Sequence, residues 1–124
     1  MIWLDKEVKM DDMKKIFEEV GVNLEKFSEK FPEKMESFKK MMEAIETPKA
    51  LDKKQKELMA VSLSISNHCK WCIAYHVKKA LESGATKDEI SEASWMAVLM
   101  GGGPALMYMQ LVEKAIEDFE NNEK

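Results

Sequence analysis

Between Asp52 and Gly84 the chain reads DKKQKELMAVSLSISNHCKWCIAYHVKKALESG. Asp52 with Gln55 three residues later is the pattern of a capping box, in which side chain and backbone at a helix start satisfy each other's free hydrogen-bonding groups. Leu58, Met59, Ser62 and Ile65 then recur at three- and four-residue steps, the period of an amphipathic helix. Asn67 and His68 interrupt it. A second helix begins near Cys69, and Gly84 stands where a left-handed residue would end it. Two helices with so short a joint imply antiparallel neighbours in a bundle.

The same punctuation continues in both directions. Upstream, Met10, Met13, Ile16, Phe17 and Val20 predict a helix closed by Gly21. Asn23 then caps a short piece through Leu24 and Phe27 to Phe31. Pro32 starts a third helix carrying Met35, Phe38, Met41, Met42 and Ile45, which Thr47-Pro48 ends. Downstream, Thr86 and Glu89 form another capping box, opening a helix through Ile90, Ala93, Ala97 and Val98 to the triplet Gly101-Gly102-Gly103. Pro104 launches the last helix, with Leu106, Met109, Val112, Ile116 and Phe119 for burial, and residues 121–124 are expected to fray.

Composition agrees. Ala, Leu, Met, Glu, Lys and Gln supply 68 of the 124 residues, against 16 from Val, Ile and Thr, which favours helix over strand. Five Gly and three Pro are too few to punctuate a β-sandwich or barrel. The expectation is an all-α fold: one domain over residues 1–124, an antiparallel bundle of six to seven helices. All 19 basic residues are Lys and the net charge is −4, so nucleic acid is not an expected partner and no guanidinium can grip a phosphate bidentately. The longest apolar stretch, Trp95 to Met109, is shorter than a bilayer span and is broken by its glycines and proline, so no membrane helix is expected. The start, Met1 to Glu7, brings acids before any apolar run and does not resemble a signal peptide, which points to the cytoplasm. In that reducing setting two cysteines are catalytic or metal-binding before they are a staple.

Those cysteines carry the chemistry. On a helix advancing about 100° per residue, Cys69, Cys72 and His76 fall within about 60° of one face. The spacing of Cys72 to His76 brings an imidazole within reach of a thiol, and that of Cys69 to Cys72 suits a reversible disulfide. Cys69 also stands at a helix N-terminus, where free N–H groups stabilise an anion. The helix end favours Cys69 as the attacking thiol and the base favours Cys72; the reading leans to Cys72, with Cys69 resolving. The rival is zinc, for which Cys69, Cys72 and His76 are competent ligands; structural zinc wants a fourth, from His68, Glu57 or a neighbouring subunit.

Glu57, twelve residues before Cys69, together with C-x-x-C-x-x-x-H and the later Gly102-Gly103-Pro104-Ala105-Leu106, resembles the carboxymuconolactone decarboxylase/alkylhydroperoxidase D superfamily. The resemblance runs from about Phe38 to Phe119 and leaves the helices of residues 8–35 unmatched. It implies an all-α fold, assembly as trimers or hexamers and, in the dithiol branch, reduction of a hydroperoxide or exchange with a disulfide substrate as part of antioxidant defence. By the same resemblance Glu57 and His76 relay a proton from Cys72, which attacks the peroxide. Cys69 condenses with the sulfenic acid, and an external thiol reductant restores the pair. The peroxidase members carry a second histidine just before the second cysteine; here that position is Trp71, and His68 lies on the other side of Cys69. The lactone decarboxylases lack the dithiol, so decarboxylation of a lactone is the alternative activity and a non-enzymatic zinc module the alternative class. No cofactor and no bound metal are expected.

The remaining candidates have plainer readings beside the functional one. Trp71 and Tyr75 flank the dithiol and either line a substrate pocket or pack ordinarily. His68 is a neighbour of the helix cap, then a second proton carrier, then a zinc ligand, in that order. The eleven methionines fill core and interface, and the triple glycine breaks a helix in preference to cradling a phosphate. Lys70, Lys78 and Lys79 form a solvated face, although positive charge near a thiol also favours its anion.

Overall fold

A computed structural model describes residues 8–121. Its elements are α1 (Met13–Lys30), α2 (Pro32–Glu46), α3 (Lys53–Ser66), α4 (Lys70–Glu82), α5 (Lys87–Gly101) and α6 (Gly103–Asn121), and no strand occurs among the described residues. The tail beyond Asn121 and the start before Val8 lie outside them. α3 packs on α4 and α5, α6 closes the other side against α4 and α5, and α1 lies across α4 and α6. Met13, Val61, Ile65, Ile73, Val77, Ile90 and Val112 are fully enclosed between them.

Both capping boxes form as expected. The Asp52 carboxylate accepts from the Gln55 N–H at 2.7 Å and the Thr86 hydroxyl from the Glu89 N–H at 3.1 Å, each returned by the Gln or Glu side chain. At the other end of α4, Gly84 takes φ +90° and donates to the Leu81 carbonyl. α5 stops at Gly102, where φ +65° and ψ −144° suit only glycine; its carbonyl accepts from Leu106 and so opens α6.

Gly21 does not end a helix. The pieces expected on either side of it are one helix, α1, which begins at Met13 behind Asp12 as its cap. Asn23 is no cap: its side-chain amide donates to the Glu19 carbonyl one turn back, which lets it sit inside a continuous helix. The register of α3 also differs from the expected one. Glu57, Val61, Ser64 and Ile65 turn inward, Leu58 packs at the edge, and Met59 faces out. The two polar groups hold inner positions because each has a partner: Ser64 donates to the Ala60 carbonyl and Glu57 meets a histidine. Leu106 is likewise exposed, and only Met13 and Met109 of the described methionines belong to the buried core.

α1 is anchored at its start. The Met13 N–H, an orphan donor of the first turn, reaches the Asp118 carboxylate of α6 at 2.9 Å, and Lys114 pairs with the same carboxylate. Phe17 packs between Tyr75 and the edge of Phe119. α2 by contrast buries no residue, and Phe38, Met41 and Ile45 are open on it.

Candidate active site

The joint between α3 and α4 is tighter than two interrupting residues suggest. Asn67 caps α3, and His68 adopts a left-handed conformation with φ +53°. The His68 N–H then reaches the Ile65 carbonyl and the Cys69 N–H the Ser64 carbonyl. This pair of bonds is the Schellman closure that glycine ordinarily provides. The residue satisfying the end of α3 is thus also the cap of α4, since the sulfur of Cys69 accepts the Cys72 N–H at 3.2 Å. Cys69 therefore sits off the helical wheel, in extended backbone, yet its Cα lies 5.2 Å from that of Cys72 and the two sulfurs are joined in a disulfide. Both cysteines are half-buried.

One turn beyond Cys72, His76 presents Nδ1 to Glu57 Oε2 of α3 at 2.8 Å. Only 6% of the Glu57 side chain is exposed, against 23% for His76. An ionised carboxylate can only accept, so in this pair the imidazole donates from Nδ1, and a neutral ring held this way turns Nε2 outward as an oriented base. Tyr75 meets the imidazole edge-on at 5.0 Å between ring centres. Its burial raises the phenol above its ordinary value, with Lys79 acting in the opposite sense, so the hydroxyl is uncharged near neutrality.

Glu57 and His76 open onto a cavity of about 320 Å³, walled by Ile45, Leu51, Met59, Ala60 and Leu63. Lys56, at its rim, is held by the Ile45 and Thr47 carbonyls at 2.6 and 2.9 Å, which fixes the end of α2 against α3. α2 had no place in the sequence-based site, and no signal in one sequence marks its last turn as the wall facing Glu57.

The three accessory candidates separate. Tyr75 packs behind His76, outside the cavity. Trp71 turns toward α1, its indole N–H donating to Glu19 at 2.9 Å. His68 stacks in parallel on Tyr108, 4.6 Å between centres, and borders a second groove of about 430 Å³ with Lys70, Trp71, Met107 and Leu111. Of the lysines, Lys70 lies over Trp71 and near Asp11, Lys78 over Phe119 and Lys79 over Tyr75. Among the described residues no three His, Cys, Asp or Glu side chains converge as a metal would need. Nor is any described helix long and apolar enough to cross a membrane.

An all-helical bundle with a C-x-x-C disulfide at a helix start and a Glu–His pair behind it defines the class, and comparison with known proteins names it. Residues 32–112 match the carboxymuconolactone decarboxylase family, and the chain belongs to it. A crystal structure of a carboxymuconolactone decarboxylase family protein from Legionella pneumophila superposes with TM-score 0.81 at 38% identity, covering 93% of this chain and all of that one. A family protein from Thermotoga maritima, for which involvement in an antioxidative response has been suggested, superposes with TM-score 0.73 at 28% identity, covering 87% and 96% of the two chains. Among sequence relatives, an uncharacterised protein of Cupriavidus necator is 30% identical over 88% of this chain and 94% of its own length. A protein encoded in the cox locus of Paracoccus denitrificans is 38% identical over 57% of this chain and 64% of its own.

Proposed function

We propose that this protein is a thiol–disulfide oxidoreductase that reduces hydroperoxides at Cys72, with Cys69 as resolving thiol and Glu57–His76 as proton relay. The observation that carries the reading is the 2.8 Å bond from His76 Nδ1 to a buried carboxylate, one helical turn from a cysteine whose partner closes a disulfide with it. In the reduced protein His76 Nε2 takes the Cys72 proton, and the thiolate attacks the outer peroxide oxygen. The O–O bond breaks, the alkoxide leaves with the proton from His76, and the sulfur becomes a sulfenic acid. The Cys69 thiol attacks that sulfur, forming the disulfide and releasing water. Two equivalents of an external thiol restore the dithiol and leave as a disulfide. The apolar walls near Glu57 suit the carbon chain of an organic hydroperoxide.

Cys72→Ser should abolish peroxide-dependent oxidation of a dithiol reductant. Cys69→Ser should still consume about one equivalent of peroxide and then stall as a sulfenic acid. Full turnover by Cys72→Ser refutes the mechanism, and activity on a carboxylated lactone that survives loss of both cysteines supports decarboxylation in its place. Stoichiometric zinc lost together with Cys69 in the reduced protein supports the zinc module.

We also propose that copies assemble. Trp95, Met96, Leu99 and Met100 of α5 and Leu106 and Met107 of α6 are exposed large apolar side chains, which an interface between copies would cover. Sedimentation should give a trimer or hexamer, and a monomer at micromolar concentration refutes this.

A further inference from the structure

The two residues between the cysteines, Lys70 and Trp71, are both turned to the segment that precedes the family match. Trp71 Nε1 donates to Glu19 Oε2 at 2.9 Å, Lys70 Nζ lies 3.4 Å from Asp11 Oδ2, and the Lys70 ammonium sits 5.1 Å from the centre of the Trp71 ring. Trp71 is 48% exposed and buries too little for packing alone to fix it. Glu19 is carried by a firm support: Met13 and Ile16 are buried, the Met13 N–H is bound to Asp118, and Phe17 is wedged between Tyr75 and Phe119.

We infer that Glu19 is a positioning residue of the dithiol, holding Trp71 so that the first turn of α4 keeps Cys69 and Cys72 together when the disulfide opens. This rests on the proposed redox cycle. In the disulfide form the covalent ring fixes residues 69–72; in the dithiol form the backbone bonds of the α3 closure and of the first turn of α4 remain, and the Glu19–Trp71 tie is the side-chain hydrogen bond that joins the turn to α1. A tied turn gains less freedom on opening, so the thiols stay at high effective concentration and the disulfide is harder to reduce. The Asp11–Lys70 pair is exposed on both sides and adds little. Trp71 thus has a task of its own: its indole anchors the turn to α1.

The test is exchange of the full chain with glutathione buffers, in which protein dithiol and glutathione disulfide give protein disulfide and two glutathione thiols, read by trapping free thiols and mass spectrometry. Glu19→Ala and Trp71→Phe should each lower the equilibrium constant for closure by about three- to tenfold, an upward shift of about 15 to 30 mV in reduction potential. The double variant should match either single one. Glu19→Gln keeps an acceptor oxygen and should fall closer to the unchanged protein. Neither site is buried, so the variants should fold, which circular dichroism checks. Constants unchanged in both single variants, or effects that add in the double one, overturn the inference. A native protein that forms no disulfide in any buffer removes the redox reading itself, a distinguishable result.

Discussion

Replacing Glu57 by Gln removes a charge while keeping the shape and an oxygen able to accept the His76 Nδ1 proton. The orientation of the imidazole therefore survives, and what is lost is the stabilisation of imidazolium once Nε2 takes a proton. With charge centres about 4 Å apart and an effective dielectric near 20, that interaction amounts to roughly 4 kcal/mol. The His76 side chain is 23% exposed, so solvent reduces it to about 3 kcal/mol. At about 1.4 kcal/mol per decade this is a loss of roughly 10²-fold in rate, at the low end of the 10²- to 10⁴-fold span of general acid–base catalysis. The assay is steady-state oxidation of dithiothreitol by an alkyl hydroperoxide, with urea unfolding of the same preparation. The amide still fills the site, so stability should change by about 1 kcal/mol or less. Turnover within about threefold of the unchanged protein refutes the relay, whereas a slow enzyme that has also lost several kcal/mol of stability shows that the pair is structural.

Asp118→Ala leaves the buried Met13 N–H without an acceptor and should cost about 1 to 3 kcal/mol in urea unfolding, with faster amide exchange concentrated in the first turns of α1. His68→Ala keeps the left-handed strain and loses the stack on Tyr108, about 1 kcal/mol, while His68→Gly should cost less because glycine relieves the strain; the reverse order contradicts the Schellman reading. For Tyr75 the folded pKa lies above the unfolded one, so its contribution is fully present below the ordinary phenol value and is lost as pH rises through the raised one. Ultraviolet titration should show a late-ionising phenol that disappears in Tyr75→Phe.

The helices were legible because their ends carry local chemistry. Asp52 with Gln55, Thr86 with Glu89, Gly84 and the triple glycine each act through bonds to residues within five positions, which one sequence contains. Gly21 misled for the converse reason. Its φ is helical, a Cβ there would meet nothing within 4 Å, and nothing local requires a break; α1 runs straight through it, and its first turn is held by Asp118, 105 residues away in sequence. The inner face of α3 escaped periodicity because it carries a carboxylate whose partner is on the next helix.

The dithiol was legible and its setting was not. C-x-x-C announces itself, but no glycine marks the joint: His68, in left-handed backbone, closes α3 so that Cys69 can cap α4 with no residue between. That economy has a chemical consequence. A longer joint would let the Cys69 sulfur swing away from the N–H groups of α4, whereas here the closure of one helix holds the start of the next. The disulfide turn is therefore braced on both sides, by the end of α3 through its backbone and by α1 through Glu19 and Trp71. Loosening either brace should change how readily the pair opens, while on the proposed cycle loss of the Glu57–His76 pair should slow the oxidation of Cys72.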